Sequence, residues 1–291
     1  MRLFDSHCHL DFPDFDVDRG EVVARAHAAG VEDVLVPGYV LRDPAAARAL
    51  ATQAAARGVR VHHAVGLHPF ALAEAGNHDW ALPEGALAAR LTAAAAQQRA
   101  VAIGECGLDA PLARRAPSET APFSMPQQVA VLREHLAAAE AARLPLILHV
   151  VRAHEPMLAL LREGQPGSQT QRRALGARDA RPRGVVHAYS GSAELVREYQ
   201  RLGFSLAFGG AVTHERHARA REAARAVSDE RLLVESDAPS GRLSDGPARN
   251  EPSSVREVVL TLAALREQAP EHVAEITHRN ACALFGVGQL A

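Results

Sequence analysis

Leu3-Phe4-Asp5-Ser6-His7-Cys8-His9-Leu10 stands at the head of the chain. Leu3 and Phe4 begin an apolar strand, and residues two apart on an extended backbone leave the same face, so His7 and His9 point together. Two imidazoles so placed offer two nitrogen ligands to one ion, although a pair of surface histidines would show the same spacing. Further strands ending in His, Asp or Glu would favour the metal, and the chain has them.

Outward from this stretch, short apolar runs alternate with Ala-rich amphipathic segments. The runs are Arg2 to His7, Val31 to Pro37, Val59 to Gly66, Val101 to Glu105, Pro145 to Val151, Gly184 to His187, Phe204 to Phe208 and Leu232 to Asp237. Between them lie segments of helical period such as Glu21 to Ala29, Ser192 to Leu202, and Pro44 to Arg57 with Asp43 as N-cap and Gly58 as stop. Near-continuous apolar strands separated by helices imply a parallel sheet covered on both faces. Eight such units predict a (β/α)₈ TIM barrel, an α/β fold. An open doubly wound sheet fits less well, because the polar residues gather at the C-terminal ends of strand after strand, where barrel active sites lie.

The 291 residues suit one barrel domain, and 47% hydrophobic with 23% charged residues suits a soluble globular protein. No apolar run follows a basic leader and none approaches bilayer length, so a cytoplasmic protein with no membrane association is expected. The three cysteines Cys8, Cys106 and Cys282 are read as reduced thiols, the first two as core filler beside the site. A formal net charge of −2 argues against a surface coated for nucleic acid, so any polyanion must bind locally. No obligate protein partner is inferred. Residues 164–184, rich in Gly, Gln, Arg and Pro, are expected to form a flexible insertion on the N-terminal face. Ala110 to Met125 reads as a long loop on the opposite, substrate side, and Pro252 to Gln268 and Pro270 to Phe285 as two closing helices.

The polar residues at strand ends are His7 and His9, His68, Glu105, His149, His187 and Asp237. Each alone is ordinary, but this many on one barrel end would be buried and desolvated without compensation. Four imidazoles and two carboxylates suit two divalent ions, with Glu105 as the bridge, His7, His9 and Asp237 on one ion, and His149 and His187 on the other. Ions roughly 3.5–4 Å apart promote a displacement at phosphorus, so the expected reaction is hydrolysis, with Asp237 placed to orient or accept the proton of the nucleophile. The ligand types accept Zn, Mn, Mg or Ni. The chain has no Lys, which excludes the carboxylated-lysine bridge of some amidohydrolases.

Asp5-Ser6-His7-Cys8-His9-Leu10-Asp11, Gly66-Leu67-His68-Pro69, Gly104-Glu105-Cys106-Gly107-Leu108-Asp109, Leu146-Ile147-Leu148-His149, His187-Ala188-Tyr189-Ser190-Gly191 and Glu235-Ser236-Asp237-Ala238-Pro239 together resemble the TatD family of metal-dependent deoxyribonucleases, part of the amidohydrolase superfamily. Asp11-Phe12-Pro13 and Arg279-Asn280-Ala281 extend the likeness, the former looking most like the YjjV-type branch. The resemblance implies metal-dependent cleavage of DNA phosphodiesters and the same six ligands. It implies that His68 lies near the substrate phosphate, a hydrogen bond shaping the loop before Pro69 being the equal alternative. Asp109 is expected to orient a ligand or its loop, and Glu235, on the same face as Asp237 by alternation, to be a further carboxylate behind the metals or at the metal site, or a buried structural one.

This chain departs from the family after His149, where Val150-Val151 precede Arg152, so Arg152 is at best a substitute for the usual phosphate-contacting arginine. The alternative functions are hydrolysis of a smaller ester, such as that of a D-aminoacyl-tRNA, and a catalytically silent scaffold. His62 and His63 are read as structural, and Arg216, Arg219, Arg221 and Arg225, with His214 and His217 nearby, as a solvated helix face. With 4% aromatic residues, few stacking platforms for single-stranded bases are expected.

Overall fold

The computed structural model of the chain describes residues 1–41, 43–74, 81–163 and 183–288. The expected insertion at 164–184 lies outside them, apart from Arg183, which packs over the Phe204 ring, and Gly184, which opens a strand.

Eight strands form one parallel sheet in sequence order: β1 Leu3–Asp5, β2 Val31–Val36, β3 Arg60–Val65, β4 Ala102–Asp109, β5 Leu146–Val151, β6 Gly184–Val186, β7 Phe204–Phe208 and β8 Leu232–Val234. Ser6 N–H donates to Val234 O (3.0 Å) and Asp237 N–H to His7 O (2.9 Å), joining the last strand to the first. The fold is a TIM barrel. The helices between are α1 Arg19–Ala28, α2 Pro44–Ala55, α3 Ala86–Gln98, the single turn α4 Ala110–Ala113, α5 Met125–Ala142, α6 His154–Glu163, α7 Ala193–Arg201 and α8 Ala218–Ala226. α9 Val255–Arg266 and α10 Pro270–Phe285 close the chain. Asp43 caps α2 as its sequence predicts, its carboxylate accepting Ala45 N–H at 2.8 Å. Among the described residues no helix is long and apolar enough to cross a membrane.

Period-two alternation positions the site. One inward residue per strand, Phe4, Leu35, Ala64, Ala102, Ile147, Val185, Ala207 and Leu233, fills the barrel, and Ala281, Leu284 and Phe285 of α10 plug its N-terminal end. Two residues beyond Ile147, Val185 and Leu233 come His149, His187 and Glu235, which therefore face the same interior one layer higher. A register shift in β4 between Ile103 and Cys106 brings Glu105 into that layer. The outward residues pack under the helices in a second, larger core that takes Cys8 and Cys106 as buried filler.

Glycines let the strand tops approach. A Cβ on Gly38 would sit 2.1 Å from Gly66 N, and one on Gly66 would sit 2.4 Å from the Gly104 carbonyl carbon. Neither neighbour is a side chain that could swing away, so Gly66→Ala should cost about 2–3 kcal/mol or more through forced backbone separation. A lowered urea midpoint would show it, and an unchanged midpoint would mean that β3 and β4 separate freely.

At the opposite end Asp33 is buried and takes a bidentate contact from Arg60 (2.8 and 2.6 Å), with His62 Nε2 at 2.9 Å and His278 Nε2 at 3.4 Å. Phe4 stacks on His62, ring centroids 5.6 Å apart. His62 thus serves structure beneath the barrel, while His63 lines a cavity beside α2. The Asp33 carboxylate and the Cys282 thiol raise the His278 pKa to about 9 despite burial. Folding therefore favours charged His278. That stability is complete below about pH 6.5, the value in an unfolded chain, and is lost as pH rises through about 9. His278→Gln should remove about 2 kcal/mol of pH dependence between those limits. Denaturation midpoints of both proteins at pH 6 and pH 10 measure it, and parallel pH curves would refute the assignment.

Candidate active site

The C-terminal ends of β1, β3, β4, β5 and β6 converge on one buried carboxylate. Glu105 Oε2 lies 3.0 Å from His7 Nε2 and 3.4 Å from His9 Nε2, and its Oε1 lies 3.0 Å from His68 Nε2, 2.8 Å from His149 Nδ1 and 2.7 Å from His187 Nε2. Among the described residues, three groups have atoms close enough to share a cation: His7, His9 and Glu105; His68, Glu105 and His149; and His7, His187 and Glu235. All of these residues are buried. Asp237 stands at the edge, its Oδ1 4.0 Å from His7 Nε2, with 21% of its side-chain surface in solvent. It has left-handed backbone, φ 53°, just past the end of β8, which turns the chain out of the strand.

For His149 and His68, hydrogen bonds from outside the cluster settle which nitrogen faces inward. His149 Nε2 is 3.1 Å from Asp109 Oδ2; a carboxylate only accepts, so a proton sits there and Nδ1 is the nitrogen that faces Glu105, 2.8 Å away, and His187 Nε2, 3.3 Å away. Asp109 Oδ1 also accepts Leu112 N–H at 2.7 Å, capping α4. Asp109 thus contacts both the His149 ring and the start of its own loop. His68 is the reverse case. Its Nδ1 accepts Phe70 N–H at 3.0 Å, so the neutral ring carries hydrogen on Nε2 and donates inward. Glu235 is fully buried, accepts Ala188 N–H at 2.5 Å, and lies 3.5 Å from His187 Nδ1.

The charges follow from this packing. Burial alone would raise the pKa of Glu105, but the surrounding imidazoles, His187 first, hold it well below the usual carboxylate range. Burial pushes His7 well below its ordinary value, with His187 reinforcing it, and pushes His68 down to about 4 against the pull of Glu105. His149 and His187 are raised despite burial, His149 by Asp109 and Glu105 and His187 by Glu105 and Glu235. Burial lifts Asp237 to about 6, against the pull of His187 and His9.

These residues fit a metal. His7 Nε2 and His9 Nε2 lie 3.3 Å apart, and Glu105 Oε2 beside them is buried without a hydrogen bond. A cation with bonds of about 2.0–2.2 Å separates its ligand atoms by about 3–3.6 Å, so the lone pairs here are spaced as around an ion. Without positive charge between them, facing lone pairs would repel.

Several supports had no signal in the sequence. His135, fully buried on α5, accepts Leu67 N–H (2.9 Å) and contacts Val131 O (2.7 Å), pinning the segment that presents His68. Gln128 on the same helix bonds both the Asp109 N–H and the Asp109 carbonyl. Asp5 ties β1 to β8 by accepting Ser236 N–H, Ser236 Oγ–H and His7 N–H (2.9, 2.6 and 3.3 Å); burial raises its pKa to about 8 despite these bonds. A polar residue inside a helical repeat, or an Asp before a strand end, gives no warning of such contacts. Arg152 stands exposed with left-handed backbone, φ 51°, just after β5, at the mouth of the barrel. Arg221 and Arg225 bind the backbone carbonyls of Val212 and Leu265 and fasten α8 to the body.

A family model described as TatD related DNase matches residues 4–286. The chain belongs to the TatD family. It is 33% identical over 288 residues to the metal-dependent hydrolase YabD of Bacillus subtilis, covering 98% of this chain and 99% of that one. It is 32% identical over 295 residues to a 3′-5′ ssDNA/RNA exonuclease, TatD of Klebsiella pneumoniae, covering 98% of each. The crystal structure of YjjV, a TatD homologue from Escherichia coli, superposes with a TM-score of 0.78 at 28% identity, covering 99% of both chains. The protein is accordingly a metal-dependent hydrolase of the TatD family, and its His and Glu clusters are able to bind metal.

Proposed function

We propose that this TatD-family hydrolase cleaves phosphodiester bonds in single-stranded DNA at a binuclear centre. Glu105, His7, His9 and Asp237 would hold one ion, and Glu105, His149 and His187 the other. The observation that carries this reading is the convergence of His7, His9, His149 and His187 on a single buried carboxylate. Naming of the K. pneumoniae relative as an ssDNA/RNA exonuclease supports the substrate class.

Divalent ions in such a site act as Lewis acids on the phosphoryl oxygens and ease deprotonation of an attacking water. The chain's own groups do the rest. Asp237, at the solvent edge, accepts the water's proton at Oδ1 as the P–O bond to the leaving sugar oxygen breaks, and that oxygen takes a proton back from solvent. His68 donates its Nε2–H to a non-bridging phosphate oxygen. Asp109 holds His149 and Glu235 holds His187 in the ligating orientation. Arg152 offers a cation to the neighbouring phosphate, where it is exposed and free of an ion pair among the described residues.

The test is hydrolysis of a labelled single-stranded oligonucleotide after chelation and after adding back Mg, Mn, Zn or Ni, run beside a D-aminoacyl-tRNA. Activity on DNA should vanish with chelator and return with metal. Turnover of the aminoacyl ester alone would reassign the substrate, and absence of both activities in metal-loaded protein would leave a silent scaffold.

A further inference from the structure

Aromatic residues are scarce in this chain, yet three of its eight Phe and three Tyr stand in one line along the rim of the site. Phe12 packs at 4.4 Å on His9 and at 5.2 Å on Tyr39; Tyr39 stacks on His68 at 5.1 Å and 21°; His68 meets Phe70 at 5.0 Å, and Phe70 reaches His149 at 6.0 Å. The wall therefore runs from one side of the Glu105 cluster to the other. Phe12 and Tyr39 are half-buried within it. Phe70 is 47% exposed, and its backbone is locked into the 3-10 turn Pro69–Ala73 by the hydrogen bond to His68 Nδ1. The other strongly exposed large apolar side chains among the described residues are Met1 and Val17, neither of them aromatic.

A phenyl ring exposed at the lip of a polar centre lies outside the core and offers no atom to a metal. We propose that Phe70, backed by His68, Tyr39 and Phe12, is the platform on which a nucleobase beside the scissile phosphodiester stacks. The assignment rests on the nucleic-acid reading above and adds its basis for strand selection. Bases of a duplex are already stacked on their neighbours, whereas an unpaired base gains a partner here, and because every base has a π face the contact tolerates sequence. The inward Nε2–H of His68 and the ring of Phe70 occupy adjacent positions, so one residue pair addresses a phosphate and its base together.

The test compares wild type, Phe70→Ala and Phe70→Tyr on a labelled single strand and on the same strand with abasic sites flanking the cleaved bond. Wild type should prefer the base-bearing strand, and Phe70→Ala should lower that preference in kcat/KM about tenfold, mostly through KM, with Phe70→Tyr restoring it. A 2-aminopurine at that position should lose fluorescence on binding wild type but not Phe70→Ala. Equal loss on both strands would mean a structural role and overturn the proposal, as would no change in Phe70→Ala. Those outcomes leave the nuclease reading standing, whereas wild type that neither binds nor cleaves the single strand overturns both.

Discussion

Glu105→Gln should lower kcat/KM by about 10³ or more and leave purified protein nearly free of metal, while the barrel stays folded. The substitution keeps size and the possibility of a hydrogen bond but removes the one negative charge on which His7, His9, His68, His149 and His187 converge. An amide also sets N–H donors against the inward Nε2–H of His68, donor facing donor, so a ring must turn away. A thousandfold loss corresponds to about 4 kcal/mol of transition-state stabilisation, which fits removal of a group common to both ion sites. The strands hold because each rests on the interior layer below the site and on the outer core, neither of which includes this side chain. Metal analysis and circular dichroism on the same sample separate the possibilities. Full metal content with normal activity would exclude the bridging role.

The parts of this site that were legible in the sequence are those fixed by period two. His149, His187 and Glu235 follow apolar strand residues by two places, so their direction is implied once the strand is recognised. Helix punctuation was legible for a similar local reason: Asp43-Pro44 starts α2, and Pro270 to Phe285 matches α10 residue for residue. Local pattern fails where the register is broken or the partner is remote. β8 pairs only to Val234, so simple alternation does not carry through to Asp237, whose left-handed backbone sets its position at the edge. β4 runs on to Asp109, beyond the expected end at Glu105, because it pairs with β5 as far as Val151. His135 and Gln128 act across the gap between α5 and the strand tops, a distance no periodicity encodes. The rim was hidden by an average. A low aromatic percentage suggested few stacking platforms, but percentage says nothing of placement, and Phe12, Tyr39 and Phe70 come from three different strand-end loops.

Asp237→Asn should separate binding from turnover. Its carboxylate is 4.0 Å from His7 Nε2, farther than any Glu105 contact, and it falls outside all three groups whose atoms lie close enough to share a cation. It is thus the outermost of the ligands assigned above, and His7, His9 and Glu105 should retain most of the metal when the carboxylate becomes an amide, whose oxygen can still ligate. Turnover should not survive in the same way. An amide has no basic oxygen to take the proton of an attacking water, and loss of such a base costs typically 10²–10⁴-fold. Exposure of the side chain matters here, since a proton collected at the edge reaches solvent directly, whereas one collected by Glu105 would be trapped among buried imidazoles. The expected result is a kcat reduced at least a hundredfold at nearly unchanged metal content and with KM altered much less. If metal is lost in step with activity, Asp237 is a ligand first. If kcat is preserved in the metal-loaded variant, the proton goes elsewhere, and the carboxylates left beside the cluster are Glu235 against His187 and Asp109 against His149.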